Sequence, residues 1–157
     1  FNINLLRSHQ NLVKKWFEFK DEIDGPLKKL TEKFHPWVGV HIRRGDWVNL
    51  QITVPIQKFI NALTTIRKNR NVIICSDDPT VKHQLQFLDI IQVQNILPEL
   101  HPNVFDFWLL KNAQTIIGSG STFSWWAAYL GNGDYYAPAT HLWNKEKSQE
   151  IAKRPIF

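Results

Sequence analysis

The sequence contains a single cysteine, Cys75, among its 157 residues. One thiol cannot form a disulfide within the chain, and it excludes a metal centre built from several cysteines. No stretch approaches the roughly 20 apolar residues that a membrane-spanning helix needs, and no signal peptide pattern is present. Acceptor sites of the type Asn-x-Ser/Thr are also missing. Together these absences favour a cytoplasmic protein with no membrane span.

Motifs that hold nucleotides through a glycine-rich loop or a metal ion are missing as well. The sequence has neither a Gly-x-x-x-x-Gly-Lys-Ser/Thr loop nor a Gly-x-Gly-x-x-Gly fingerprint. It has no Asp-x-Asp pair that could chelate a diphosphate through a divalent cation, and its histidines lack metal-ligand spacing. We therefore expect no metal site and no cofactor. Any diphosphate that binds would have to be neutralised by arginine.

The chain does carry an excess of positive charge, +5 at pH 7, with a pI near 9.4. Such an excess favours anionic partners. The basic residues are dispersed and form no stripe interleaved with aromatic residues, so we expect no nucleic-acid partner. Most basic clusters, including Arg67 to Arg70, are interpreted as solvated helix faces. The pair Arg43-Arg44 is the exception.

Short apolar runs alternate with helical patterns along most of the chain. Strands are predicted at residues 37–42, 72–75, 90–93, 115–117 and 135–137, with helices such as 55–66 and 122–130 between them. This alternation predicts an α/β fold with a parallel sheet of about five strands flanked by helices. A length of 157 residues suits one compact domain with its own core.

The first 36 residues are predicted to form a separate helical segment, followed by a sheet domain over residues 37–157. Apolar residues such as Leu12 and Phe17 recur at helical spacing, and lysines occupy the other face. The tripeptide Asp24-Gly25-Pro26 predicts a break, and a second helix is expected to end at His35-Pro36. The tail after Thr140 gives no clear pattern.

The most informative segment is Val38 to Trp47, in which a buried strand ends in paired arginines, a glycine and a carboxylate. Alternation along the strand places His41 and Arg43 on one face and Arg44 on the other. Arginine holds phosphate oxygens bidentately and keeps its charge. One arginine is therefore predicted to grip an anion while the other pairs with Asp46 or another acid. A purely structural Arg–Asp pair in a turn is the alternative.

Two further strand ends carry polar groups. Asp77 and Asp78 follow the strand at 72–75, where a carboxylate could accept hydrogen bonds from a guanine edge or a ribose. Helix capping explains one of these two aspartates. A Gly-Ser-Gly-Ser-Thr turn that contains Ser119, Ser121 and Thr122 opens the helix at 122–130, where free N–H groups and the helix dipole favour phosphate.

Three segments resemble the motifs of the α-1,2-fucosyltransferases. They are His-Ile-Arg-Arg-Gly-Asp-Trp-Val at 41–48, Ile-Ile-Cys-Ser-Asp-Asp-Pro at 73–79, and Ser-Thr-Phe-Ser-Trp-Trp-Ala-Ala-Tyr-Leu at 121–130. Their order and approximate spacing also match, and the resemblance covers roughly residues 37–138. It implies a Rossmann-like domain that forms one half of a GT-B-type glycosyltransferase.

The resemblance further implies an inverting, metal-independent transfer of L-fucose from GDP-fucose to a hydroxyl of a galactose-containing glycan. Carried over to this sequence, Arg43 would hold the β-phosphate and stabilise the departing GDP, and His41 would line the nucleotide pocket. Asp77 or Asp78 would bind guanine. Ser121 and Thr122 would contact the diphosphate. These expectations agree with electrostatic stabilisation of the leaving group as the main catalytic effect.

Such enzymes have two Rossmann-like domains, and the motifs found here belong to the second. We expect the acceptor-binding amino-terminal domain to be absent from this chain, since about 36 residues precede the first motif. Asp46 is then a candidate general base as well as a candidate partner for an arginine. The alternative hypothesis for the chain is a non-catalytic module that binds GDP or a nucleotide sugar.

Overall fold

The computed structural model describes residues 3–138 and 151–154. Its core is a five-stranded sheet in the order β2-β1-β3-β4-β5, in which β1 to β4 are parallel and β5 runs antiparallel to β4. The strands are β1 Trp37–Ile42, β2 Asn71–Ser76, β3 Thr115–Gly118, β4 Asp134–Pro138 and β5 Ile151–Arg154. The predicted α/β fold with a largely parallel sheet is confirmed. Residues 139–150 and 155–157 of the predicted sheet domain, including most of the tail after Thr140, lie outside the described residues.

Eight α-helices flank the sheet in the described part of the chain. They are α1 Ile3–Ser8, α2 Gln10–Trp16, α3 Asp21–Thr31, α4 Gly45–Asn49, α5 Ile56–Ile66, α6 Thr80–Gln84, α7 Pro102–Lys111 and α8 Thr122–Leu130. Short 3-10 turns occur at Glu32–Phe34 and Gln86–Leu88.

Each face of the sheet has its own apolar core. Alternate residues of β1 divide between the two faces: Trp37 packs with α3, α7 and α8, whereas Val38 and Val40 pack with α5 and α6. All six residues of β1 are buried. A strand covered on both faces reads as continuous apolar sequence, which is why the pattern of β1 was recognisable.

The amino-terminal helices pack against the sheet domain and are hydrogen-bonded to it. Leu27 of α3 is fully buried in the core, and the indole of Trp108 on α7 donates a hydrogen bond of 2.9 Å to Asp24. Lys14 donates at 2.7 Å to the main-chain oxygen of Gly131, which follows α8. The hydroxyl of Tyr129 in turn donates to the main-chain oxygen of Leu6 at 2.7 Å.

Two predictions of local structure were wrong. Helix α3 runs through Gly25 and Pro26, because the burial of Leu27 and the bonds of Asp24 hold it together there. The segment 90–93 is not a strand, although the N–H of Ile91 donates to the main-chain oxygen of Val72 at 2.8 Å. Instead its apolar residues cover the core beside β2, the edge strand of the sheet.

Candidate functional site

The carboxyl ends of β1, β2 and β3 lie side by side, because β1 is hydrogen-bonded to both other strands. His41 is in register with Cys75 of β2 and with Gly118 of β3. In open α/β sheets, ligands bind in the crevice beyond the carboxyl ends of the strands. The three polar segments singled out in the sequence therefore meet at one edge of the sheet.

Arg43 is at the centre of this edge. Its main-chain N–H donates to the hydroxyl of Ser119 at 2.9 Å, which joins the ends of β1 and β3. Its guanidinium pairs with Asp46 at 2.8 Å and with Asp77 at 2.9 Å, and its side chain remains 38% exposed. The arginine is thus held by carboxylates on two sides and still accessible to a ligand.

Asp77 connects the ends of β1 and β2. One carboxylate oxygen accepts the main-chain N–H of Arg44 at 2.8 Å, while the other pairs with Arg43. A Cβ atom on Gly45 would lie 2.5 Å from this second oxygen, so only glycine permits the close approach. Asp77 therefore fixes the position of Arg43 in this structure.

Asp78 performs a different task. It accepts hydrogen bonds from the N–H and the hydroxyl of Thr80 at 2.9 and 2.6 Å, and these bonds lower the pKa of its carboxyl. Asp78 therefore accepts the first N–H of α6, as predicted in kind for one of the two aspartates, although the N-cap position itself is Pro79. Its other oxygen lies 3.3 Å from Nε of Arg44, a buried nitrogen that lacks a well-aligned hydrogen-bond partner among the described residues.

His41 lies beneath this edge, with only 5% of its surface exposed. Its ring is 5.0 Å from that of Phe123, and Nδ1 is 3.2 Å from the hydroxyl of Ser121. Burial lowers the pKa of His41 to about 4; Asp77 raises it, and Arg43 lowers it further. The imidazole is consequently neutral at pH 7, so it can form hydrogen bonds at this edge but carries no positive charge.

The turn between β3 and α8 presents the amino terminus of a helix to the site. Gly120 has φ of +81°, a left-handed conformation that glycine adopts without strain. Ser121 caps α8 by accepting from the N–H of Ser124 at 3.4 Å, and Thr122 is exposed at the first helical position. Ser119 is buried and bonded to the β1 strand end, so its hydroxyl is already engaged.

One residue of this region was missed in the sequence. Asp106 is on α7 and lines a cavity of about 270 Å³ whose lining also includes Ser76, one residue before Asp77. Burial raises the pKa of Asp106 to about 6, although Lys82 acts to lower it. The only signal in the sequence was a carboxylate within an apolar helix, a pattern that does not locate the cavity.

Within residues 3–138 and 151–154, no three His, Cys, Asp or Glu side chains are placed to hold a metal ion together. No helix in those ranges is long and apolar enough to cross a membrane.

The sequence of the chain is similar to that of a known glycosyltransferase. It is 32% identical over 110 residues to an α-1,2-colitosyltransferase of Escherichia coli, a match that covers 62% of this chain and 37% of the relative.

The fold is similar to that of solved fucosyltransferase structures. NodZ α-1,6-fucosyltransferase soaked with GDP-fucose gives a TM-score of 0.61 at 20% identity, over 87% of this chain and 49% of that one. NodZ co-crystallised with GDP gives 0.54 at 23% identity, over 74% and 43%. The selenomethionine form of NodZ from Bradyrhizobium gives 0.60 at 19% identity, over 86% and 48%. The chain therefore spans less than half the length of these relatives, and the likeness confirms a Rossmann-like half of a GT-B-type fold.

The resemblance noted in the sequence is confirmed by a family model. The model described as Glycosyl transferase family 11 matches residues 8–156, which include all three strand ends of the site. The chain belongs to glycosyl transferase family 11.

Proposed function

We propose that this chain is the donor-binding half of a fucosyltransferase and binds GDP-fucose at the carboxyl edge of its sheet. In the whole enzyme, L-fucose would pass with inversion and without a metal to a hydroxyl of a galactose-containing glycan. Arg43 carries the proposal, because it is the exposed guanidinium at this edge and is held in place by Ser119 and Asp77. The curated relative is named for transfer of colitose, so GDP-colitose is a second donor to test.

The diphosphate is proposed to lie between Arg43 and the amino terminus of α8. The first N–H groups of a helix have no partner within it, and the helix dipole favours negative charge there. Thr122 adds an exposed hydroxyl at the same place. An incoming phosphate would compete with the exposed Asp46 for the guanidinium, and would bring a higher charge than that carboxylate.

The base is proposed to occupy the cavity lined by Asp106. Its volume of about 270 Å³ is near the lower end for ligand pockets, which suits one base and not a whole nucleotide sugar. Ser76 lines the cavity and directly precedes Asp77, the partner of Arg43, and on this ground a nucleotide is proposed to extend from the cavity to Arg43. This placement assigns guanine to Asp106, and it leaves Asp77 to position Arg43 and Asp78 to cap α6.

The chemistry of the proposed reaction is a displacement at C1 of the sugar. The bond between C1 and the β-phosphate oxygen breaks, and its electron pair stays on the leaving GDP. Arg43 and the N–H groups of α8 stabilise that charge, which is the largest contribution such a site can make. The acceptor oxygen forms the new bond from the opposite face of the sugar and passes its proton to a general base, for which Asp46 is the candidate in this chain.

Calorimetric titration with GDP in the presence of EDTA tests the donor site. Loss of charge-assisted hydrogen bonds worth about 1.5–3 kcal/mol predicts that Arg43→Ala weakens GDP binding about 10- to 100-fold. Arg70→Ala is the matched control, since Arg70 lies at the opposite edge of the sheet, and we expect it to bind GDP like the wild type. Absence of binding heat, or equal affinity for GDP in Arg43→Ala, would contradict the proposal.

A turnover assay distinguishes this proposal from a module that only binds nucleotides. The chain and a longer form that includes a preceding domain would each be supplied with GDP-fucose or GDP-colitose and with lactose. Release of GDP coupled to glycan formation by the longer form supports a transferase. Binding of GDP with no transfer by either form supports the non-catalytic module.

A further inference from the structure

The cavity beside Ser76 carries two opposite charges on its lining. Lys82 comes from α6 and Asp106 from α7. The other polar residues of the lining are uncharged, Ser76, Gln92 and Asn95, and the apolar walls come from β2, segment 90–93 and α7. Neither charged residue belongs to the three motifs on which the family resemblance rests. A ligand in this cavity could accept a hydrogen bond from the lysine, which only donates, and could donate one to the carboxylate, which only accepts when it is ionised.

The two charges are close together but do not form a direct ion pair. Lys82 lies near enough to Asp106 to lower the pKa of its carboxyl, yet no ion pair within 4.0 Å joins them. The Cys75 thiol is the other group that faces Asp106. No hydrogen bond of the Lys82 ammonium to another described residue is found. Both groups therefore keep hydrogen-bonding capacity toward a ligand.

The edge of guanine matches this arrangement. Its O6 accepts hydrogen bonds, while the neighbouring N1–H and 2-amino group donate them. An ammonium can only donate and an ionised carboxylate can only accept. Adenine presents an amino group where guanine has O6, so it would place a donor against Lys82. An unpaired or mismatched buried polar group costs about 1–3 kcal/mol.

We propose that Lys82 determines specificity for guanine by donating a hydrogen bond to O6, while Asp106 accepts from N1–H and the 2-amino group. The inference rests on the proposed function, which places a nucleotide at this edge, and it adds the residue that selects the base. Lys82 would contribute nothing to the diphosphate. Substitution of Lys82 should therefore weaken binding only of those nucleotides that carry an oxygen acceptor at position 6 of the purine.

The test is a titration of wild type and Lys82→Met with GDP, IDP and 6-thioguanosine diphosphate. IDP keeps O6 but lacks the 2-amino group; the thio analogue keeps both donors and replaces O6 with sulfur, a weak acceptor. We expect Lys82→Met to weaken binding of GDP and of IDP about tenfold each. Binding of the thio analogue should change less than twofold.

Lys58→Met is the control for loss of one lysine, because Lys58 lies on α5 and not on the cavity. It should leave all three affinities unchanged, and thermal melts of each variant show whether it is folded. Equal losses of affinity for GDP and for the thio analogue, or no loss of affinity for GDP, would overturn the role of Lys82 and leave the proposed function intact. Failure of the wild type to bind GDP would overturn the proposed function and this inference together.

Discussion

Two pairs of arginines occupy opposite edges of the sheet and are held in opposite ways. At the amino edge, Arg67 and Arg70 donate mainly to main-chain oxygens, including each other's, and Arg70 also donates to the hydroxyl of Thr115 at 2.6 Å. At the carboxyl edge, Arg43 and Arg44 face the carboxylates of Asp46, Asp77 and Asp78.

The difference separates arginines that complete the structure from one that can bind a ligand. The fold holds main-chain oxygens in fixed positions, so the acceptors of Arg70 cannot move away from it. The Asp46 carboxylate is on an exposed side chain and can rotate away when a more highly charged anion arrives, while Asp77 stays to hold Arg43. The sequence interpretation of Arg67 to Arg70 as a solvated helix face was wrong, because these guanidinium groups are tied to the protein.

The largest expected effect at the amino edge is on stability. Arg70→Ala leaves the buried hydroxyl of Thr115 and the main-chain oxygens of Ile66 and Arg67 without their donor, so we expect the free energy of unfolding to fall by about 2 kcal/mol. That corresponds to about 4–8 °C in melting temperature for a chain of this size. Thermal melts by circular dichroism measure it.

Arg70→Lys tests whether charge or geometry matters, since lysine keeps the charge without the planar fork. We expect it to recover little of the loss. A full recovery would show that the amino edge needs only a positive charge, and the contrast between the two edges would then be weaker.

An intermediate effect is expected at the carboxyl edge from Gly45→Ala. The new Cβ would collide with Asp77, whose displacement removes the support of Arg43. We expect GDP affinity to fall about tenfold, the equivalent of one charge-assisted bond. Gly25→Ala is the matched control: a Cβ there meets nothing within 4 Å, and alanine should stabilise α3 by about 0.5–1 kcal/mol. Comparable losses of affinity in both variants would show that Asp77 does not support Arg43 in binding GDP.

The smallest effect is expected from Asp46→Asn. Its ion pair with Arg43 is exposed, with 61% of the Asp46 side chain accessible, and exposed pairs contribute about 0–1 kcal/mol. GDP affinity should change less than about threefold. Turnover by the longer form, measured in parallel, decides between the two predicted roles of Asp46, since loss of a general base lowers turnover about 100-fold or more at unchanged affinity.

The sequence was most informative where local pattern and tertiary position coincide. Strands β1 and β3 and the start of α8 at Thr122 were all predicted, because burial on both faces of a strand and a glycine-rich turn before a helix leave local signatures. The adjacency of the three strand ends comes from the strand order β2-β1-β3, which the structure shows and the sequence did not predict. The roles of individual residues in ligand binding stay predictions.

The parts that were missed depend on packing between distant segments. Asp106 and Lys82 share a cavity only because α6 and α7 are both placed beside β2, and neither helix carries a sequence motif that predicts this placement. Segment 90–93 has the composition of a strand, yet it covers the core beside β2 without forming a ladder. No local pattern distinguishes these outcomes.

The attachment of the amino-terminal helices has a mechanical consequence. Helix α8 is nine residues long, or about 13 Å from end to end, and a helix of that length moves as a rigid rod. One end of α8 borders the proposed diphosphate site, and the other is bonded to α2 through Lys14 and Gln10. A force applied to α2 would therefore be transmitted along α8 to the donor pocket. Residues 3–16 are thus connected through α8 to the proposed donor site.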